Sequence, residues 1–333
     1  MERVSILLPA RDAAATLPAC LRSIARQSLR DFRCIVVDDG SRDDTARLAR
    51  AHAARDPRFD VVAADGRGLV AALTTGLRHC AAPFVARMDA DDLMHRHRLR
   101  LQHDALVARA DLAGVGCHAR PFPAAAFGDG LRDYAAWLRS LRSEADVRRD
   151  ALVECPLLHP TWFVRTDVLC RHGYRDVPWP EDYDLLLRLL QSGCELGLVP
   201  RTLHAWRRGP GCATATDPRY DRAQFPRLKA AFLASGLLAA TDRYVLWGHG
   251  STGRALRREL LRLGRRVAAV VELHPRRLGQ RIDGAPVVPP AAVPSLLPLP
   301  IVVSVAGSTP RALVRAALAG CGRGELRDFV CAA

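Results

Sequence analysis

The sequence predicts an α/β protein of two domains, each built on a mostly parallel sheet. Three observations carry that prediction. Short, solid apolar runs alternate with helix-spaced segments through the first hundred residues, a pattern that suits strands buried on both faces. The same alternation starts afresh at residue 243. The chain, at 333 residues, is also too long for one compact domain of ordinary size.

Residues 4–8 form the first apolar run, ended by Pro9, and Leu17, Leu21 and Ile24 set a helical spacing over 16–27. A second strand over 34–37 stops at Asp38-Asp39-Gly40-Ser41, and Asp43 or Asp44 is placed to cap a helix running through Ala54. Residues 60–63 read as a third strand, 69–79 as a helix, and 84–88 as a fourth strand that ends on Asp89-Ala90-Asp91-Asp92. Ligands of parallel sheets sit beyond the carboxyl ends of the strands. Pro9-Ala10, Asp38-Asp39 and the Asp89 cluster therefore converge on one crevice. From 93 to 216 the pattern is mixed, with helices over 134–141 and from Glu181, and a Gly/Pro-containing segment over 201–214 closes this domain. The expected boundaries are 1–216 for the first domain, 217–241 for a helical linker and 242–333 for the second domain.

Composition narrows the setting. No apolar stretch approaches the roughly 20 residues needed to cross a bilayer. Glu2 and Arg3 run straight into a strand, so the start does not read as a signal peptide. The 10 cysteines never form C-x-x-C, and several, such as Cys34 and Cys80, sit in apolar runs; this argues against zinc and for a reduced, cytoplasmic setting. A formal net charge of +14 would ordinarily suggest a polyanionic partner. Here Lys229 is the one lysine and the arginines are dispersed, which argues against nucleic acid. Peripheral attraction to an anionic inner membrane face stays open, as does a homo-oligomer.

Asp89 and Asp91 alternate on an extended turn, so both can reach one divalent cation. Mn²⁺ and Mg²⁺ take oxygen ligands and are commonly held by one or two carboxylates together with substrate phosphates. An isolated D-x-D is ordinarily a solvated turn. Asp92 also reads as the N-cap of a helix expected from Leu93. What singles this run out is its place at a strand end beside two others.

Four motifs in order then resemble the signatures of family 2 glycosyltransferases with the GT-A fold, over roughly residues 1–215. They are Val4-Ser-Ile-Leu-Leu-Pro9, Ile35-Val-Val-Asp38-Asp39-Gly40-Ser41, Ala86-Arg-Met-Asp89-Ala-Asp91-Asp92 and, after His159-Pro160-Thr161 and Gly173-Tyr174, Trp179-Pro180-Glu181-Asp182-Tyr183-Asp184. The resemblance implies an inverting, metal-dependent transfer of sugar from a nucleotide-diphosphate sugar to a hydroxyl acceptor. That acceptor would be a glycan or lipid-linked sugar, in surface polysaccharide synthesis. It implies that Asp39 accepts a hydrogen bond from the nucleotide base, with Pro9 and Ala10 lining the base pocket through their backbone. Asp89 is expected near ribose and metal, and Asp91 on the metal. Arg67 is expected to contact the nucleotide, against the plainer reading of a surface arginine. Arg207, in Trp206-Arg207-Arg208, is expected to close over the diphosphate.

Asp182 is the implied general base, with Glu181 orienting the acceptor. Tyr183, Leu186, Leu187 and Leu190 mark a buried helical stripe, and Pro180 suits its first turn, so both carboxylates also suit the helix dipole. Asp184 and Arg188, four apart, are expected to form a surface pair. His159 and His204 are candidates with an equally plain structural reading.

The second domain opens with a strand over 243–247, the turn Gly248-His-Gly250-Ser-Thr-Gly253, a helix over 254–263, and a strand over 267–271 ending at Glu272. This is G-x-G-x-x-G in strand–turn–helix context, with an acidic residue about 20 positions on. It predicts a Rossmann-like fold and leaves open a second nucleotide or NAD(P) site at Gly248, Gly250, Gly253 and Glu272. An NAD(P)-dependent oxidoreductase or a nucleotide-binding protein centred there is the alternative function. A module that keeps the turn only for packing is the plain reading. A strand over 301–305, a helix over 310–318 and a strand over 328–331 follow a Pro-rich loop run over 286–300. Little chain is left for a hydride-transfer domain.

Overall fold

A computed structural model describes residues 2–123, 128–209, 211–296 and 298–333; Pro210 and Leu297, inside the closing segment and the Pro-rich run, lie outside the described residues. The chain divides into two compact units. The first comprises Met1–Arg148, Pro156–Val177 and Glu181–Thr216, and the second Arg149–Cys155, Pro178–Pro180 and Asp217–Ala333.

The first unit holds β1 (Val4–Ala10), β2 (Phe32–Asp38), β3 (Phe59–Ala63), β4 (Phe84–Arg87), β5 (Leu93–Met94), β6 (Leu112–Phe122), β7 (Phe163–Arg165) and β8 (Glu195–Arg207). They form one sheet in the order β3-β2-β1-β4-β7-β6-β8-β5. The first four are parallel, as solid apolar runs require. β7 is antiparallel to both of its neighbours, β4 and β6. Every residue of β1 is buried. Ile6 and Leu8 pack with Leu17, Leu21 and Ile24 of the helix Leu17–Ala25. A Cβ on Gly76 would lie 2.4 Å from Leu7 and 2.5 Å from Val37, which is how closely the helix Leu69–Leu77 approaches the sheet. Register sets Ala10 level with Asp38, and Asp38 level with Ala63, so the strand ends form one rim.

One local expectation is narrowed and one is corrected. Asp43, not Asp44, accepts from the Thr45 N–H at 2.9 Å as the helix Thr45–Ala53 opens. The helix expected from Leu93 begins instead at Arg98, because Leu93–Met94 pairs antiparallel with Ala205 and His204 of β8.

The second unit holds β9 (Arg243–Trp247), β10 (Arg266–Val271), β11 (Arg281–Ile282), β12 (Ala285–Val288), β13 (Ile301–Val303) and β14 (Phe329–Cys331), in the order β11-β12-β10-β9-β13-β14. All neighbours are parallel except the β11–β12 hairpin. Leu228, Ala230 and Leu233 of the helix Gln224–Ser235 are buried in this unit; Ala230 and Leu233 pack with Tyr244, Leu246, Leu256 and Val302. Each such leucine contributes about 1.5–3 kcal/mol of burial. Lys229 is buried too, its Nζ donating to the carbonyls of Val153 at 2.7 Å and Ala332 at 3.1 Å. The one lysine thus ties together three stretches of this unit rather than adding to a basic surface. Among the described residues, no helix is long and apolar enough to cross a membrane.

Candidate active site

At the end of β2 the chain turns sharply. The Asp39 N–H donates to the Ala10 carbonyl at 2.9 Å, which joins two strand ends. Gly40 and Gly66 both sit at φ +69°, and a Cβ on Gly40 would stand 3.2 Å from the Gly66 Cα, so the two turns meet backbone to backbone. Asp39 is buried; its Oδ2 accepts from the Gly68 N–H at 3.0 Å and from Arg11 at 3.4 Å. Its Oδ1 is buried with no partner, a costly arrangement that a ligand's N–H would relieve. Arg67 stands apart: its guanidinium pairs with Asp65 at 2.8 Å, and its side chain is 74% exposed. Arg11, which sequence reasoning passed over, reaches this strand end instead.

The carboxylates of Asp89, Asp91 and Asp92 offer oxygens all within 4.8 Å of one another. Asp92 is fully buried and works as an anchor, its Oδ1 accepting from the Arg207 N–H at 2.6 Å and its Oδ2 facing His204 Nε2 at 2.7 Å. On the far side of that ring, Nδ1 lies 3.0 Å from Arg98 Nη1. A guanidinium can only donate, so Nδ1 accepts, the proton sits on Nε2, and His204 is neutral. Burial, followed by Arg98, lowers the His204 pKa and agrees with a neutral ring. Arg98 is itself fully buried and also binds the Arg87 carbonyl and Gln102 Oε1, each at 2.9 Å. This inner network pulls residues 93–94 into the sheet and overrides the N-cap expected of Asp92.

Crowding leaves its mark on the cluster. Burial, then Asp89 and Asp92, push the Asp91 carboxyl up to about 7. Arg207 Nε donates to the Asp91 carbonyl at 2.8 Å while its guanidinium stacks 4.5 Å over Phe122, so it grips the backbone of the acidic loop. Arg87, at the end of β4, is buried and ion-paired with Asp89. Burial opposes its charge, but Asp89 outweighs that and raises its pKa.

A second wall comes from the helix Glu181–Gln191, which opens directly after Pro180. Glu181 is fully buried, its Oε1 lying 3.9 Å from His159 Nδ1, and His159 Nε2 meets the Tyr174 hydroxyl at 2.9 Å. Burial and then Arg87 hold the His159 pKa well down, so this histidine is neutral. Asp182 Oδ1 accepts from the Tyr183 N–H at 2.8 Å. Burial, then Glu181, push its carboxyl up to about 7, while Arg87 pulls the other way. Asp184 is not at the surface as expected. It is fully buried and held by Arg175 at 2.7 Å and Arg188 at 2.8 Å. Arg188 also donates to the His172 and Gly173 carbonyls, which fastens that loop to the helix. Arg87 is the shared counter-charge of Asp91, Asp92 and Asp182, and the same charge helps to keep His159 neutral. The strand-end cluster and the helix start therefore feel one common positive charge.

The four remaining predicted residues lie in the second unit, at the ends of β9 and β10. Gly248 adopts φ +92°, a Cβ on Gly253 would lie 2.4 Å from the Gly248 carbonyl oxygen, Gly250 precedes the helix Ser251–Arg262, and Glu272 pairs with Arg277 at 3.1 Å.

Residues 5–165, just under half of the chain, match the model of glycosyl transferase family 2. The chain is 31% identical over 112 residues to the chondroitin synthase of Escherichia coli, covering 34% of this chain and 16% of that protein. It is 26% identical over 251 residues to the amylovoran biosynthesis glycosyltransferase AmsE of Erwinia amylovora, covering 74% of this chain and 92% of that protein. Against three of the curated relatives it matches, it spans only 16–33% of their length. Among solved structures, TarS 1–349 of S. aureus in complex with UDP-GlcNAc aligns with a TM-score of 0.56 at 15% identity, over 78% of this chain and 71% of that one. The mannosyltransferase PcManGT from Pyrobaculum calidifontis, in complex with GDP-Man and Mn²⁺, aligns with a TM-score of 0.53 at 21% identity, over 70% and 63%. At such identities these neighbours show the fold, which is GT-A. The family match, the relatives and that fold agree: residues 5–165 carry the pattern of glycosyl transferase family 2.

Proposed function

We propose that the first unit transfers a sugar, with inversion, from a nucleotide-diphosphate sugar to a hydroxyl acceptor. The observation that carries the reading is the crowding of Asp89, Asp91 and Asp92, whose oxygens lie within 4.8 Å of one another. Hard oxygen donors at that density fit Mn²⁺ or Mg²⁺. Asp89 and Asp91 would hold the cation, which when bound neutralises charge on the departing nucleoside diphosphate. The GDP-Man and Mn²⁺ of the mannosyltransferase neighbour and the UDP-GlcNAc of TarS support that donor class.

Asp92 takes no ligand in this reading, because His204 and Arg207 already occupy it. Asp39 offers its unpartnered Oδ1 to an N–H of the base, and the Pro9 and Ala10 backbone walls that pocket. Arg207 holds the acidic loop in place and borders the diphosphate. Asp182 takes the proton from the acceptor hydroxyl; a base near neutrality is well matched to that task. Glu181, fixed beside His159, orients the acceptor. Relatives that make amylovoran and chondroitin support a glycan or lipid-linked acceptor.

The test is a thermal-shift screen with UDP-, dTDP- and GDP-sugars, with and without Mn²⁺, and with NAD(H). Wild type should be stabilised by one donor with Mn²⁺, Asp91→Asn should lose that effect, and Asp182→Asn should keep it while losing transfer. Stabilisation by NAD(H) alone would overturn the reading.

A further inference from the structure

The transferase reading leaves unused a cleft of about 1000 Å³ in the second unit, lined by Gly248, His249, Gly250, Glu272, Arg277 and Ser304 among others. It lies at the carboxyl ends of β9, β10 and β13. β10 and β13 flank β9 on opposite sides, so this is the point where strand order reverses.

The three glycines serve different ends. Gly248 sits at φ +92°, and a Cβ there would lie 2.9 Å from the Ser304 carbonyl; on Gly253 it would lie 2.4 Å from the Gly248 carbonyl. Packing demands both. Gly250 is different, because a Cβ there would meet nothing within 4 Å, and its φ of −71° and ψ of −166° suit any residue. The fold does not need a glycine at that position. What the missing side chain does is leave the N-terminus of the helix Ser251–Arg262 open, and no side chain caps it.

The cleft also holds buried polar atoms with no partner. Ser304, 5% exposed, leaves its Oγ unpaired, and His249, 7% exposed, leaves Nε2 unpaired. Two unpaired groups beside an open helix start are costly unless a ligand completes them. Glu272 adds little negative potential: it pairs with Arg277 at 3.1 Å and accepts from the Leu273 N–H at 3.1 Å. Arg276 and Arg277 line the same cleft. The summed chemistry favours an anion.

We propose that this cleft binds a mononucleotide, with its phosphate on the N-terminus of the helix Ser251–Arg262, in the room left by Gly250, bonded by Ser304 and His249. Dinucleotide sites span two halves of three strands each. Among the described residues, the far side of β9 supplies two strands, β13 and β14. One nucleotide is what such a half-site holds.

The experiment is equilibrium dialysis of the full chain against UDP, GDP, ADP and dTDP, in EDTA to suppress cation-dependent binding at Asp89 and Asp91. Gly250→Asp is the informative variant. Aspartate is a favoured N-cap, so the helix is kept, while its carboxylate repels a phosphate. At least one of these nucleotides should bind wild type, and Gly250→Asp should remove one equivalent with its melting transition preserved. Should Gly250→Asp not fold, Ser304→Ala must weaken that equivalent by roughly fivefold, the worth of one hydrogen bond. The proposal is overturned if none of the four binds wild type, or if the variants bind as wild type does. It is equally overturned if NAD⁺ or NADP⁺ takes the Gly250-dependent site in preference.

Discussion

At the end of β4 the chain crowds three aspartates within 4.8 Å, whereas at the end of β9 it offers glycines, an open helix start and an arginine. Both sites sit where a parallel sheet ordinarily presents a ligand, yet their unmet requirements are opposite. The carboxylates repel one another and call for a cation. The backbone N–H groups and unpaired Ser304 and His249 call for an anion. The fold leaves the two strand ends alike, and the charge placed there is what sets them apart.

The comparison breaks most readily in the first unit. Asp182→Asn should keep donor binding and lose transfer by up to about 10⁴-fold, the range for a positioned general base. Wild-type transfer should fall as the pH drops through about 7, because the proposed base, Asp182, must be ionised to act and its raised carboxyl protonates there. A rate independent of pH between 5 and 8 would show that another group takes the proton. Asp91→Asn should lower turnover by roughly 10³-fold, as expected when charge stabilisation at the leaving group is lost. Excess Mn²⁺ should not restore it.

Smaller effects sharpen the contrast. Arg98→Met removes a buried cation that bonds His204, Gln102 and the Arg87 carbonyl. It should lower unfolding stability by about 3 kcal/mol and weaken cation-dependent donor binding by roughly tenfold. Denaturant titration and donor titration read these two effects separately. In the second unit, Gly253→Ala should cost about 1–3 kcal/mol, since its Cβ would press on the Gly248 carbonyl. Gly250→Ala should cost only about 0.5 kcal/mol, the loss of a favourable N-cap residue. Equal costs at the two positions would remove the distinction between a packing glycine and a ligand glycine.

Much of this was legible in the sequence because the parallel strands are solid apolar runs closed by conspicuous turns. Val4–Ala10, Phe32–Asp38 and Arg243–Trp247 announce themselves in that way. The strands β6 and β8 did not, since Leu112–Phe122 and Glu195–Arg207 carry glycine, proline, histidine and arginine in their interiors. Their polar residues are matched by distant partners: Arg98 and Asp92 satisfy His204, a pairing across more than a hundred residues that no local spacing reveals. Asp184 departs from its expected surface place for the same reason, because Arg175 and Arg188 together make its burial tolerable. The acidic residues proposed for the site stand out in the sequence by motif order. Arg87, which joins them electrostatically, does not, since in an arginine-rich chain one more arginine carries no signal.

The most direct measurement follows the anomeric carbon of the sugar by NMR as it leaves the donor selected in the thermal-shift screen. With Mn²⁺ present, wild type should give product of inverted configuration, excess EDTA should stop its formation, and Asp182→Asn should give none. A product of retained configuration, or full turnover in EDTA, would contradict a metal-dependent inverting site built on Asp89, Asp91 and Asp182.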